Sequence, residues 1–393
     1  MRLYRTLSKI VVLLLVFSLV TAAGDAKSKK KEKSKEAYVF KTITEVKRTP
    51  VKDQYRTATC WCFSTISFLE SELLRTGKGE FDLAEMYVVR HTYPHKVLNY
   101  IRLHGTANHE QGGQSHDVLD QIRRYGIVPE AVYPGMNIEE KRHNHGEMAT
   151  VLKAIADAVL KQRGKRVTPR WLEAYKAVLD VYLGKPPKNF TYKGKTYTPK
   201  GFADSLGLNL DDYIELTSYS HHPFYIQCRI ELPDNWTYND EYYNVPIDDL
   251  ERIVDYALKN GHSFVWDGDV SEKEFSSRKL GYAIVPEKSW EDKTTAEREK
   301  SITEPVKEKE VTQELRQKTF NNFATTDDHL MHIVGLAQDQ KGNKFYLTKN
   351  SSGTDRKNEG YIYLSRSYFR LKTMAVMMNK HALPEDIKAK LGF

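Results

Sequence analysis

Cysteine is scarce in this chain, three in 393 residues, and the count is odd. A disulfide framework is thereby excluded as the main support of the fold, because at least one thiol must stay free. Cys60, Cys62 and Cys228 match no spaced zinc-ligand pattern, and His143, His145, His221 and His222 read as surface or core side chains. No metal or cofactor is expected. Long apolar runs are missing as well: the stretch Ile10 to Val20 falls short of the ~20 residues a spanning helix needs. A broad basic surplus is absent once the charge is located. The formal net charge is +8, but the first 36 residues hold nine Lys/Arg against three acids, so the remainder carries only +2. A nucleic-acid partner is not expected.

The chain starts with Arg2, Arg5 and Lys9 ahead of the apolar run, followed by Thr21-Ala22-Ala23-Gly24. A basic start, a short apolar stretch and small residues together read as a secretory signal, 1–23, cleaved near Ala23. No cysteine follows to carry a lipid. Residues 24–36 then form a lysine-rich leader, expected to be disordered and solvated. These segments predict an exported protein, periplasmic or secreted, with no stable membrane span after signal removal.

Chemistry is concentrated in Gln54-Tyr55-Arg56-Thr57-Ala58-Thr59-Cys60-Trp61-Cys62-Phe63-Ser64. From Cys62 the apolar positions Ile66, Leu69 and Leu73 recur at helical spacing, with Ser64, Ser67, Glu70 and Ser71 on the other face. A helix is therefore predicted from about Cys60, capped by Thr57 or Thr59 and stopped at Gly77. A thiol at a helix N-terminus sits in a field that favours the thiolate. Cys62, two residues on, points elsewhere on the helix and reads as core, as does Cys228 in a strand-like stretch. A base with an orienting partner lies far downstream. His329 precedes an apolar run that reads as a strand, and the next strand, Phe345 to Lys349, delivers Asn350. A nucleophilic thiol needs an imidazole, and the imidazole needs an acceptor on its other nitrogen. His332, three residues further along the strand, reads as a packing residue.

Gln54 to Ser64, then Asp328-His329, then Lys349-Asn350-Ser351-Ser352-Gly353-Thr354 resemble the papain-like cysteine peptidases, in order and in Gln-to-Cys spacing. Asp211-Asp212-Tyr213, Asp234-Asn235-Trp236, Tyr243-Asn244-Val245-Pro246 and Trp266-Asp267-Gly268-Asp269-Val270-Ser271 are similar to the bleomycin hydrolase/aminopeptidase C branch. The resemblance implies that Cys60 is the nucleophile, His329 its base, Asn350 the orienting group and Gln54 an oxyanion donor. It further implies substrate contacts from Gly112, Gly113, Asp328 and Trp61, with peptides as substrates. Ser352 stands where the family has a tryptophan shielding the Asn–His contact, and Cys62 where alanine is common. Branch members act as aminopeptidases because a C-terminal tail lies in the cleft and its carboxylate meets the substrate amine. Ala382-Leu383-Pro384 is family-like, so residues 386–393 are expected to form such a tail. The alternatives are an endopeptidase, or a catalytically weak or silent papain-fold protein that binds peptides.

The predicted architecture is α+β: a papain-like two-lobed fold with a helical left lobe over 37–136 and an antiparallel β-rich right lobe over 244–385. Asp82-Leu83-Ala84-Glu85 reads as a capping box opening a helix that Pro94 ends, and Val118, Leu119 and Ile122 mark another, stopped at Gly126. Between the lobes, 137–243 is read as a helical insertion. It has apolar stripes at Met148 to Val159 and Trp171 to Tyr182 and a hairpin around Gly194. In the branch it resembles, such insertions build subunit contacts, so the resemblance implies either a homo-oligomer or an insertion that merely decorates the cleft. A charged stretch at about 286–320 is expected to be helical.

Overall fold

The computed structural model describes residues 37–162, 166–290 and 292–393. The signal-like segment 1–23 and the basic leader 24–36 lie outside the described residues.

Helix α1 (Cys60–Arg75) is buried at every position from Cys60 to Leu73. Its apolar stripe packs into a helical cluster, where Trp61, Ile66, Leu69 and Leu73 meet Leu83, Met86, Val89 and Leu119. The polar stripe is not a solvated face. Ser67 Oγ lies 2.8 Å from His332 Nδ1, and the Glu70 carboxylate accepts from Thr49 Oγ1 at 2.5 Å and from the Leu83 N–H at 2.9 Å. Glu72 Oε2 accepts from Asn379 Nδ2 at 2.8 Å. Ser67, Glu70 and Glu72 are thus satisfied by the sheet and its flanking loops, whereas the buried hydroxyls of Thr65 and Ser71 have no hydrogen-bond partner in the protein. Thr59 precedes the helix, but its hydroxyl sits 2.6 Å from that of Thr57 and caps nothing. Gly77, at φ 73°, marks the predicted exit.

Helices α2 (Glu85–Arg102), α3 (Ser115–Tyr125), α4 (Gly146–Leu160), α5 (Arg170–Leu183) and α6 (Pro199–Leu206) complete this lobe. Pro94 does not end α2; it lies inside it, and burial of Tyr93, Val97 and Tyr100 carries the helix through the lost backbone bond. The capping box at Asp82 does not form either. Lys52 Nζ holds Asp82 and Glu85 together instead, at 2.6 and 2.7 Å. The two predicted stripes of the 137–243 stretch are α4 and α5.

The sheet begins with β1 (Phe40–Glu45) and takes in β4 (Tyr213–Thr217), β5 (Gln227–Cys228), β6 (Tyr242–Asn244), β7 (Phe264–Gly268), β8 (Phe275–Ser276) and β9 (Tyr282–Ala283). It ends with β10 (His329–Asp339), β11 (Lys344–Lys349), β12 (Tyr361–Ser365) and β13 (Thr373–Asn379). A separate hairpin, β2 (Phe190–Tyr192) with β3 (Lys195–Tyr197), turns at Gly194. The order is β5-β6-β4-β13-β7-β10-β11-β12-β9-β8, antiparallel except for β4 with β6 and β9 with β12. Strands β4, β5 and most of β6 come from the stretch read as a helical insertion, β5 at the strand-like stretch around Cys228; their apolar residues, such as Leu216 and Tyr242, fill the sheet's cores.

Strand β10 is the axis. Its first half pairs with β7, and its second half pairs with β1. At the changeover is Gly335, where a Cβ would stand 2.4 Å from the Thr44 carbonyl oxygen, so only glycine allows β1 to approach. On the far face, α7 (Ile247–Lys259), α10 (Arg366–Lys372) and α11 (Glu385–Leu391) cover Trp266, Ile333, Tyr346 and Val376. Among its described residues the charged stretch 286–320 is helical in two places, the short α8 (Thr295–Arg298) and α9 (Gln313–Asn321), and is not one continuous helix.

Candidate active site

Three chain segments bring the candidate residues together. Cys60 opens α1 and is 8% exposed. His329 opens β10, and Asn350 directly follows β11, which pairs with β10 so that His332 faces Lys349. Register therefore sets the imidazole and the amide side by side: His329 Nε2 and Asn350 Oδ1 are 2.8 Å apart. The same oxygen accepts the Ser351 backbone N–H at 2.8 Å, so the amide presents its oxygen to the ring and Nε2–H is the donor. Nδ1 is left for other work. The Cys60 sulfur contacts the backbone N–H of Leu330, the residue after His329.

Gln54 ties the two lobes across this point. Its backbone N–H donates to the Ser351 carbonyl at 2.9 Å, its Oε1 accepts from Ser351 Oγ at 2.5 Å, and its Nε2 donates to the Thr57 carbonyl at 2.7 Å. One amide hydrogen is thus used locally and the second is spare. A cavity of about 220 Å³ opens beside His329, Asn350 and Gln54, rimmed by Tyr55, Ser352, Arg142, Arg278 and Arg356.

Charge at the thiol runs against ionisation in the free protein. Burial pushes Cys60 up to about 12; the Leu330 N–H opposes this, while the carboxyls of Asp234, Asp327 and Asp267 add to it. Burial pushes His329 below its ordinary range, and the bond to Asn350 opposes that shift.

The expected substrate contacts fare differently. Trp61 is 1% exposed and its indole N–H donates to the Gln111 carbonyl at 3.1 Å, so it supports the Gln111–Gly113 wall from behind and offers a substrate no surface. On the side where a Cβ would stand, Gly113 faces Trp61 and Asp117, and Gly112 faces the Asp234 carboxylate only 1.9 Å from the Cβ position. The close approach those glycines permit is used by the protein itself. Asp328 accepts from the Val270 and Ser271 N–H groups at 3.3 and 3.2 Å and from Thr326 Oγ1 at 3.0 Å, which holds the β7 exit against the start of β10. Its neighbour Asp327 turns the other way, accepting from Gln114 Nε2 at 2.8 Å. Sequence reasoning passed over Asp327, Asp267 and Gln114, although an acidic pair just before the candidate histidine was the available signal.

His332 is fully buried on Ser67, and Cys62 donates its S–H to the Glu85 carbonyl at 3.3 Å. Both are packing residues. His221 and His222 meet Glu231 through their Nε2 atoms at 3.0 and 3.1 Å. The C-terminal segment is a helix rather than an extended tail. Ile387 of α11 is buried in the sheet's core, and Phe393 rests on Tyr243, ring centroids 5.1 Å apart. Phe393 lines a cavity of about 810 Å³ together with His116, Glu215 and Trp236, and neither Cys60 nor His329 lines it. The tail-in-cleft arrangement is therefore not the one adopted: apolar packing of Ile387 and Leu391 holds the segment against the sheet.

The family model described as the Peptidase C1-like family matches residues 99–392. The chain belongs to that family. Aminopeptidase G of Lactobacillus delbrueckii subsp. lactis is 22% identical over 384 residues, covering 87% of this chain and 84% of the relative. Bleomycin hydrolase of Homo sapiens is 22% identical over 403 residues, covering 90% and 85%. A crystal structure of PepW from Lactobacillus rhamnosis superposes with a TM-score of 0.66 at 21% identity, over 90% of this chain and 84% of that one. This peptidase C1-like chain is thus a cysteine-type peptidase of the papain-like α+β fold, in the branch that holds the aminopeptidases and bleomycin hydrolase.

Proposed function

We propose that this protein is an exported cysteine peptidase that removes N-terminal residues from peptides. Cys60 attacks the scissile carbonyl. His329 takes the thiol proton on Nδ1 and later protonates the leaving amine, while Asn350 holds the ring through Nε2–H. The spare N–H of Gln54 and the Cys60 backbone N–H receive the oxyanion. Acyl transfer to sulfur is followed by hydrolysis. The observation that carries this reading is the His329–Asn350 bond of 2.8 Å at the head of β10, on the strand whose next backbone N–H meets the Cys60 sulfur. The exopeptidase part is supported by the names of the relatives, aminopeptidases G, W and C. Export is supported by the residues up to Ala23, and a mature N-terminus near Gly24 in the purified protein tests it. A homo-oligomer, as in the resemblance, is tested by sedimentation.

The deciding assay is hydrolysis of free-amine and N-blocked peptides by wild type and Cys60→Ala. Cleavage that is lost in Cys60→Ala and favours the free amine is the expected result. Cysteine-dependent cleavage of blocked peptides alone makes the protein an endopeptidase, and Cys60→Ala with full activity ends the thiol mechanism. One observation favours a silent, peptide-binding protein: the thiol's upward shift. Labelling by a thiol-directed epoxide separates the two, since only the enzyme reacts fast and in a His329-dependent way.

A further inference from the structure

The acids around the thiol have no partners of the kind that acids elsewhere in this molecule have. Asp269 is matched by Lys372 at 3.1 Å, Glu215 by His116 at 2.8 Å, and Glu251 by Arg366 and Arg370 at 2.8 and 2.6 Å. Asp267 is 2% exposed, and neither of its oxygens has a hydrogen-bond donor in the protein. Among the described residues no Lys, Arg or His reaches Asp267 or Asp327 within ion-pair distance. The carboxyls of these two residues neighbour each other, so they can satisfy one another only by sharing a proton. A buried carboxyl such as Asp267, with no donor and a second carboxyl beside it, is costly to keep. It also opposes the thiolate that a cysteine peptidase needs.

Its position explains the cost. Asp267 pairs across the ladder with Leu330, the residue whose N–H meets the Cys60 sulfur. Asp327 is partly exposed and bonded to Gln114, the residue after Gly112-Gly113, so it bridges the sheet and the opposite wall of the groove. Asp234, also partly exposed, covers Gly112 and is held by Asn108 Nδ2 at 2.6 Å. Buried Lys96 spends its ammonium on the carbonyls of Glu110 and Gly112 and counters Asp234 only through space.

We propose that Asp267 and Asp327, with Asp234 close by, form a subsite for an ammonium group of the substrate, the free α-amine of the residue whose peptide bond meets Cys60. This rests on the aminopeptidase reading and replaces the tail carboxylate in it. An ammonium there gives the pair the donors it lacks and displaces the shared proton. The ammonium takes the place of that proton, so the net charge beside the sulfur is unchanged while the orphaned oxygens gain donors.

The test compares an aminoacyl arylamide, its N-acetyl counterpart and an N-acetyl-lysyl-aminoacyl arylamide, with wild type, Asp327→Asn and Asp234→Asn. The kcat/KM ratio of free-amine to N-acetyl substrate should fall about tenfold or more in Asp327→Asn, the scale of a hydrogen-bonded charge, and less in Asp234→Asn. Alkylation of Cys60 by iodoacetamide at neutral pH, mapped by mass spectrometry, should speed up in Asp234→Asn, where a carboxylate that opposes the thiolate is gone. That readout does not depend on turnover. A ratio within about twofold of wild type in both variants, or alkylation no faster in Asp234→Asn, overturns the proposal. Discrimination that follows the lysine side chain of the blocked substrate keeps an ammonium subsite but overturns its assignment to the α-amine. Failure of the peptidase reading is recognised separately, as hydrolysis indifferent to Cys60→Ala.

Discussion

Replacing Asn350 by alanine removes the acceptor that defines the imidazole. Asn350 is 6% exposed, and its Oδ1 takes both the His329 Nε2–H and the Ser351 N–H, each at 2.8 Å. Nothing else of the described residues is placed to accept from Nε2, so the ring loses its tautomer preference and its angle. A hydrogen bond to a charged group contributes about 1.5–3 kcal/mol, and about 1.4 kcal/mol is a factor of ten. The loss in kcat/KM is therefore about 10- to 150-fold. The pH profile carries a second signature. The Asn350 bond raises the His329 pKa against burial, so without it the imidazolium is lost at lower pH. The alkaline limb of kcat/KM, where the thiolate–imidazolium pair loses its proton, must move to lower pH in Asn350→Ala. In Asn350→Asp, whose added charge favours the imidazolium, it must move to higher pH. Both are read from kcat/KM against pH with one free-amine arylamide. If Asn350→Ala stays within about threefold of wild type with a superimposable alkaline limb, the orienting role is wrong.

Gln54→Ala deletes the proposed oxyanion donor and the Ser351 Oγ tie across the lobes; kcat should fall about 10²–10³-fold with a smaller change in KM, by steady-state kinetics. Gly113→Ala places a Cβ 2.8 Å from Asp117 Oδ2 and 3.1 Å from Trp61, so calorimetry should find a loss of about 1–3 kcal/mol. Leu69→Ala, at a fully buried position of α1, should cost about 2–5 kcal/mol by denaturant unfolding. Burial alone would raise the Glu251 carboxyl, but Arg366, Lys344 and Arg370 hold it at about 2. A folded-state pKa below the unfolded value of about 4.3 stabilises above that pH and is lost as pH falls toward 2. Glu251→Gln should therefore lower stability by about 3 kcal/mol at pH 7, with the gap to wild type closing by about pH 2.

Much of the chemistry was legible in the linear chain because local rules determine it. The period of Ile66, Leu69 and Leu73 defines α1, and Gly77 ends it. The apolar runs after His329 and before Asn350 define β10 and β11, and their antiparallel pairing alone sets the imidazole beside the amide. The motif order carried the family. Elsewhere the local signals were overridden. Pro94 reads as a stop, yet α2 runs through it because tertiary burial of Tyr93 and Val97 outweighs one missing backbone bond. Ser67 and Glu70 read only as the face opposite the apolar stripe, and the fold seals both against His332 and Thr49.

What the amino-acid order determined by itself is therefore the identity and sequence of the candidate site residues, since periodicity and motif spacing are properties of neighbours along the chain. Only the tertiary structure decided what surrounds them. Asp234, Asp267 and Asp327 come from three distant segments, and whether three carboxyls converge on one sulfur depends on ladder register and on which loop covers Gly112. Phe393 likewise rests on Tyr243 because Ile387 and Leu391 find an apolar seat on the sheet, a long-range choice that no local pattern encodes.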